Sequence, residues 1–209
     1  MVEIEQQARA LAERAVRLGA RAAQPLSARA VVTDPRVTLK CRVPLCAGYG
    51  RNLMCPPFVP TAAGFAATLS HYEVALVVQQ PIALTATDVA RRYGGKGLDE
   101  LALSPDYHDV LAASQNALDG ILTALEGEAL ALGCAFAAGF GGGECRLCKA
   151  CVASESGVAT SEPCRKPFLA RPSMEAMGVD VLATAAAAGL PIQMPATDDP
   201  VWTGLLLLD

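Results

Sequence analysis

Apolar positions in the first stretch recur at Ile4, Ala8, Leu11, Ala15 and Leu18. Alternating steps of four and three place them on one stripe, so the pattern predicts a helix over residues 3 to 19, stopped at Gly19. Val31-Val32 and Val37-Thr38-Leu39 read as strand material broken by the turn pair Asp34-Pro35. Residues 61 to 70 predict a short helix with Thr61 as N-cap and Phe65 and Leu69 four apart. Glu73 to Val78 is a continuous apolar run after its first residue, a buried strand ended by Pro81. The pattern then weakens over 81–104, around Gly94-Gly95-Lys96-Gly97, and this stretch reads as an insertion or interaction loop.

Ser104-Pro105 predicts a helix start, with serine capping and proline at the first helical position. Leu111, Leu118, Leu122, Leu125 and Leu132 follow on one stripe, so this helix packs on a sheet. Cys134 to Phe140 reads as a small-residue strand that delivers a run of glycines. Arg171-Pro172-Ser173-Met174-Glu175 predicts a further helix start, with Met174, Met177 and Val181 marking a buried face as far as about Ala188. Val201 to Leu208 is apolar at nearly every position and predicts an interior strand. The expected class is α+β, a single sheet with packed helices and two cysteine-rich metal-binding loops. The organisation is one domain over residues 1–209, with an N-terminal helix and linker at 1–27.

Composition narrows the function classes. A 52% hydrophobic fraction with 18% charge in 209 residues fills a core and excludes a disordered chain. A net charge of -4, with the 17 Lys and Arg residues scattered, argues against nucleic-acid binding. The acidic start Met1-Val2-Glu3-Ile4-Glu5 is unlike a secretory signal, and no run approaches the ~18 apolar residues of a membrane span, so a cytoplasmic protein is expected. In that compartment eight cysteines point to metal ligation or redox chemistry rather than a disulfide framework.

The strongest chemical signal is Gly141-Gly142-Gly143-Glu144-Cys145-Arg146-Leu147-Cys148-Lys149-Ala150-Cys151, followed thirteen residues later by Cys164. Three thiols at successive steps of three let one turning backbone aim three sulfurs at a common centre, as in the grip of a cubane iron–sulfur cluster. The glycines let backbone N–H groups approach an anionic cluster. Zinc is the alternative occupant, although it favours two separated pairs of ligands. Cys41, Cys46 and Cys55-Pro56-Pro57 form a second group with a less specific spacing. It supplies three thiolates, so a fourth ligand has to be borrowed or one iron stays open. Cys134, in an apolar strand, reads as an inert buried thiol.

Three blocks carry a resemblance: Cys46-Ala-Gly-Tyr-Gly-Arg-Asn-Leu-Met-Cys55-Pro-Pro57, Cys145-Arg-Leu-Cys-Lys-Ala-Cys151, and Cys164-Arg-Lys-Pro with Ala170-Arg-Pro-Ser-Met-Glu-Ala-Met-Gly-Val-Asp-Val181. In this order they resemble an uncharacterised prokaryotic family of predicted metal-binding proteins of unknown function, over about residues 28 to 209. The resemblance implies metal-ligand roles for Cys41, Cys46, Cys55, Cys145, Cys148, Cys151 and Cys164, and it supplies no reaction.

His71 and His108, the two histidines, lack a partner at ligand spacing and read as ordinary surface or capping residues. No nucleophile elbow, phosphate loop or dinucleotide fingerprint occurs, and catalytic residues are not defined by the sequence. Arg146, Lys149, Arg165, Lys166 and Arg171 offset the charge of a cluster or dock an acidic redox partner. The expectation is one or two 4Fe–4S clusters acting in electron transfer with a redox partner protein. An enzyme using an open-site cluster as Lewis acid and a zinc-stabilised binding module are the alternatives. The sharp structural expectation is that the two cysteine loops meet, although about 90 residues separate them, a distance a βαβ-type connection can fold away.

Overall fold

The computed structural model describes residues 2–83, 91, 94, 104–156, 162–192 and 200–209. Its elements are α1 (Val2–Arg17), β1 (Ala22–Ser27), a 3₁₀ turn (Ala28–Ala30), α2 (Pro35–Arg42), α3 (Ala62–Leu69), β2 (Val74–Pro81), α4 (Pro105–Ala131), β3 (Ala137–Phe140), α5 (Val152–Ser156), α6 (Val181–Ala187) and β4 (Val201–Leu208). The four strands form one sheet in the order β1-β2-β4-β3, and every pairing is antiparallel. The class is therefore α+β as expected, but among the described residues no βαβ connection brings the cysteine loops together.

Both faces of the sheet are buried, which is why β2 and β4 read as near-continuous apolar runs despite being antiparallel. Val74, Leu76, Val78, Leu206 and Leu208 pack on one face against Ala8, Leu11 and Ala15 of α1 and Leu118, Leu122 and Leu125 of α4. Ala75, Val77, Leu205 and Leu207 pack on the other against Phe65 and Leu69 of α3 and Met174, Met177 and Val179. The alternation follows the two-residue period of a strand. Arg14 bonds Glu128 at 3.1 Å and ties α1 to α4.

Several local expectations change. The stretch after α1, expected to be linker, forms the edge strand β1, which accommodates Pro25. Val37-Thr38-Leu39 lies inside α2 rather than in a strand. Asp34 is its N-cap, accepting the Arg36 N–H at 2.7 Å, and Pro35 occupies the first turn. Ser104 caps α4 by position, without a side-chain capping bond. Leu132 is 45% exposed just beyond the end of α4, outside the buried stripe. Strand β3 is shorter than expected, beginning at Ala137. Residues 174–178 form successive turns between the isolated bridges at Ser173 and Val179, and the helix begins later, where Asp180 accepts the Ala183 N–H at 3.0 Å. The short helix after Thr61 and the strands after Glu73 and Val201 form as expected. The predicted insertion loop at 81–104 lies almost wholly outside the described residues.

Candidate metal centre

Residues 171–180 act as a strap between the roots of the two cysteine loops. At one end Gly141 N–H donates to the Pro172 carbonyl at 3.0 Å, and Met174 N–H donates to the Gly141 carbonyl at 2.9 Å. At the other end Asp34 N–H donates to the Gly178 carbonyl and Asp180 N–H to the Val32 carbonyl, each at 2.8 Å. Asp34 starts α2, which carries Cys41, while Gly141 leaves β3 towards Cys145. The strap is itself anchored by Arg171, buried and paired with Glu126 of α4. The other Glu126 oxygen accepts the Gly139 N–H at 2.6 Å.

The loops then touch directly. Asn52 is 7% exposed. Its Nδ2 donates to the Cys145 carbonyl at 2.9 Å, while its Oδ1 accepts the Met54 N–H at 3.0 Å. Gln115 of α4 supports the same turn from behind, donating to the Glu144 carbonyl at 2.6 Å. The glycine run is packed closely, since a Cβ on Gly142 would lie 2.9 Å from Trp202. The expected meeting of the loops is thus present, made directly by Asn52 and braced from α4 by Gln115.

Cys145, Cys148, Cys151 and Cys164 all line one cavity of about 360 Å³ between the loops. Backbone donors face three of the four sulfurs. Leu53 N–H points at Cys151 Sγ at 3.4 Å, Lys166 N–H at Cys164 Sγ at 3.4 Å, and Leu147 N–H bonds Cys145. The sequence assigned this role to the glycines, but Gly141 spends its N–H on the strap. Arg51, Arg146, Lys149, Arg165 and Lys166 stand around this cavity against the single carboxylate of Glu144. Arg146 also lies 3.3 Å from His108 Nδ1.

Cys41, Cys46 and Cys55 line a second cavity of about 610 Å³ on the other side of Glu144, which borders both. Its remaining wall is largely apolar, with Val37, Tyr49, Val179 and Leu182, plus Glu175 and Asp180. Gly48 permits the close approach here: a Cβ on it would sit 3.0 Å from both Cys55 Sγ and a Glu144 carboxylate oxygen. Burial pushes the Cys55 thiol up to about 12, with Glu144 adding to the effect. Burial also raises Cys41 and Cys145. These thiols keep their protons until a cation displaces them, as metal-ligating cysteines do.

Cys134 is buried away from both cavities, its thiol 3.5 Å from the Gln7 side chain. His71 lies in the turn before β2. Among the described residues no three His, Cys, Asp or Glu side chains stand in one coordination shell, so the thiols share cavities without converging on a single point. The donor set nevertheless fits a soft metal, with thiolates in two adjoining cavities and N–H groups facing sulfurs. Asn52, Gln115, Glu126 and Glu175 were missed because isolated amides and carboxylates carry no spacing signal. Asn52 and Glu175 sit in motif blocks, Gln115 and Glu126 outside them.

An α+β frame holding seven cysteines in two neighbouring cavities defines a cysteine-rich protein equipped for metal chemistry. The chain belongs to the DUF2284 family of predicted metal-binding proteins, whose family model matches residues 24–208. No curated protein and no solved structure matches the chain. No helix among the described residues is long and apolar enough to cross a membrane.

Proposed function

We propose that this protein binds two iron–sulfur clusters and serves in electron transfer with a redox partner protein. Cys145, Cys148, Cys151 and Cys164 hold a 4Fe–4S cluster in the first cavity, and Cys41, Cys46 and Cys55 hold a second. The observation that carries this reading is the shared wall: four thiols line one cavity, three line the next, and Glu144 borders both. Clusters supply one-electron chemistry when bound. The chain's part is to set its energetics and exclude competing reactions. The N–H groups of Leu53, Leu147 and Lys166 stabilise charge on sulfur, which raises a reduction potential. The five cations around the first cavity offset its thiolates.

Anaerobic purification should give a brown protein containing iron and acid-labile sulfide. Cys148→Ser and Cys55→Ser should each remove a different component of the reduced electron paramagnetic resonance spectrum. A colourless protein containing only zinc overturns the reading.

A second reading, an enzyme that uses the three-cysteine centre as a Lewis acid, draws support from the larger, largely apolar cavity beside Cys41, Cys46 and Cys55. Spectra of the reduced protein that shift on adding small hydroxyacids or thiols would favour it. Identical spectra with and without them would count against it.

A further inference from the structure

Three carboxylates line the three-cysteine cavity, and two of them are occupied. Asp180 accepts the Ala183 N–H as the N-cap of α6. Glu144 faces Arg146 at 4.0 Å, with its side chain 40% exposed. Glu175 differs from both. Its Oε2 is buried and has no hydrogen-bond partner among the described residues. Buried carboxylate oxygens are normally paired with a donor or a cation, because a bare anion in a dry site is costly. Glu175 also lines the same cavity as Cys41, Cys46 and Cys55, so its unpaired oxygen shares this space with three soft donors. A cation held between them would supply the missing partner. The strap places Glu175 between its two anchor points, one residue past the Met174 contact with Gly141.

From this geometry we propose that Glu175 is the fourth ligand of the centre held by Cys41, Cys46 and Cys55. The inference rests on the reading that these three cysteines bind a cluster. Cys41, Cys46, Cys55 and Glu175 line the same cavity and would hold the cluster between them. Carboxylate oxygen is a harder and weaker partner for cluster iron than thiolate. The iron that Glu175 would hold is therefore the exchangeable one, in a cavity also lined by Val37, Tyr49 and Leu182.

The test uses the full-length protein, reconstituted anaerobically with iron and sulfide and then oxidised with ferricyanide. An iron lacking a cysteine ligand leaves on oxidation. The cluster passes one electron to ferricyanide, releases one Fe²⁺ and remains as a three-iron form. Fe²⁺ is trapped by a colorimetric chelator, and the three-iron form is read by electron paramagnetic resonance. Wild type should release roughly one iron per chain. Glu175→Gln should release it roughly tenfold faster and Glu175→Cys roughly tenfold more slowly. Both variants should start from the wild-type iron content, and Glu175→Cys guards against a mere folding defect. Equal release rates in all three proteins at full iron content overturn Glu175 as a ligand while leaving the cluster reading intact. A Cys55→Ser variant with wild-type iron content and release rate overturns the three-cysteine centre itself, and the proposal with it.

Discussion

Replacing Asn52 tests whether the two cysteine loops are one site. The side chain is 7% exposed and makes two bonds of different reach. One, at 3.0 Å to the Met54 N–H, stays within its own loop. The other, at 2.9 Å to the Cys145 carbonyl, crosses to a residue 93 positions away. Asn52→Ala leaves both backbone groups without this partner. Each such orphan costs about 1–3 kcal/mol, and the partial exposure of the site favours the low end, giving about 2 kcal/mol in total. That is roughly a thirtyfold loss in the folding constant of the metal-free protein. Asn52→Asp is the discriminating variant. It keeps the acceptor for Met54 but turns a carboxylate oxygen towards the Cys145 carbonyl, so it should be no more stable than Asn52→Ala. Urea unfolding followed by the fluorescence of the single tryptophan, Trp202, reports directly on the glycine run packed against it. A chelator challenge of the metal-loaded protein should show faster loss of metal in both variants. If Asn52→Asp unfolds and loses metal as wild type does, the bond between loops contributes nothing and the composite site is refuted.

Glu126→Gln should destabilise the metal-free protein by about 3 kcal/mol in urea unfolding, because it leaves the buried Arg171 guanidinium without its carboxylate. Combining Glu126→Met with Arg171→Met should recover most of that loss. Burial pushes the Asp119 carboxyl up to about 6, opposed by Arg171, so the folded state holds its proton more tightly than the unfolded chain. Urea midpoints of the metal-free protein should therefore improve as pH falls through 6 and level off near 4, by about 3 kcal/mol, whereas Asp119→Asn should lack this slope, gaining its advantage over wild type progressively from pH ~4 to ~6 and keeping it above.

Much of the scaffold could be read from periodicity, because each long element buries a repeating apolar set. The stripe Ala8, Leu11, Ala15 and the unbroken runs of β2 and β4 left one consistent choice each. Two of the failures share a cause, which is that capping signals outranked composition. Val37 and Thr38 favour strands, but Asp34 with Pro35 starts a helix, and the bond from Arg36 N–H to Asp34 settles it. Met174 and Met177 are buried as expected, yet successive turns bury them, since the capping residue of the next helix is Asp180. At the site, the cysteine groups were legible because soft ligands recur at characteristic steps. What joins them was not. Asn52, Gln115 and Glu175 act through single bonds or single unpaired oxygens across 29 residues or more, and no local pattern encodes such a pairing.

The position of β4 carries a consequence for assembly. It is the last of the four strands in the sequence, yet it lies between β2 and β3 and pairs with both. During translation every cysteine of the two loops is made before the strand that unites the two halves of the sheet. The thiols therefore leave the ribosome ahead of the frame that sorts them into four and three. Selection of the right occupant becomes a matter of timing: the frame is complete only once Leu205 to Leu208 pair with both neighbours, so a metal captured earlier meets loops whose crossing contact, the Leu53 N–H to Cys151, is not yet fixed.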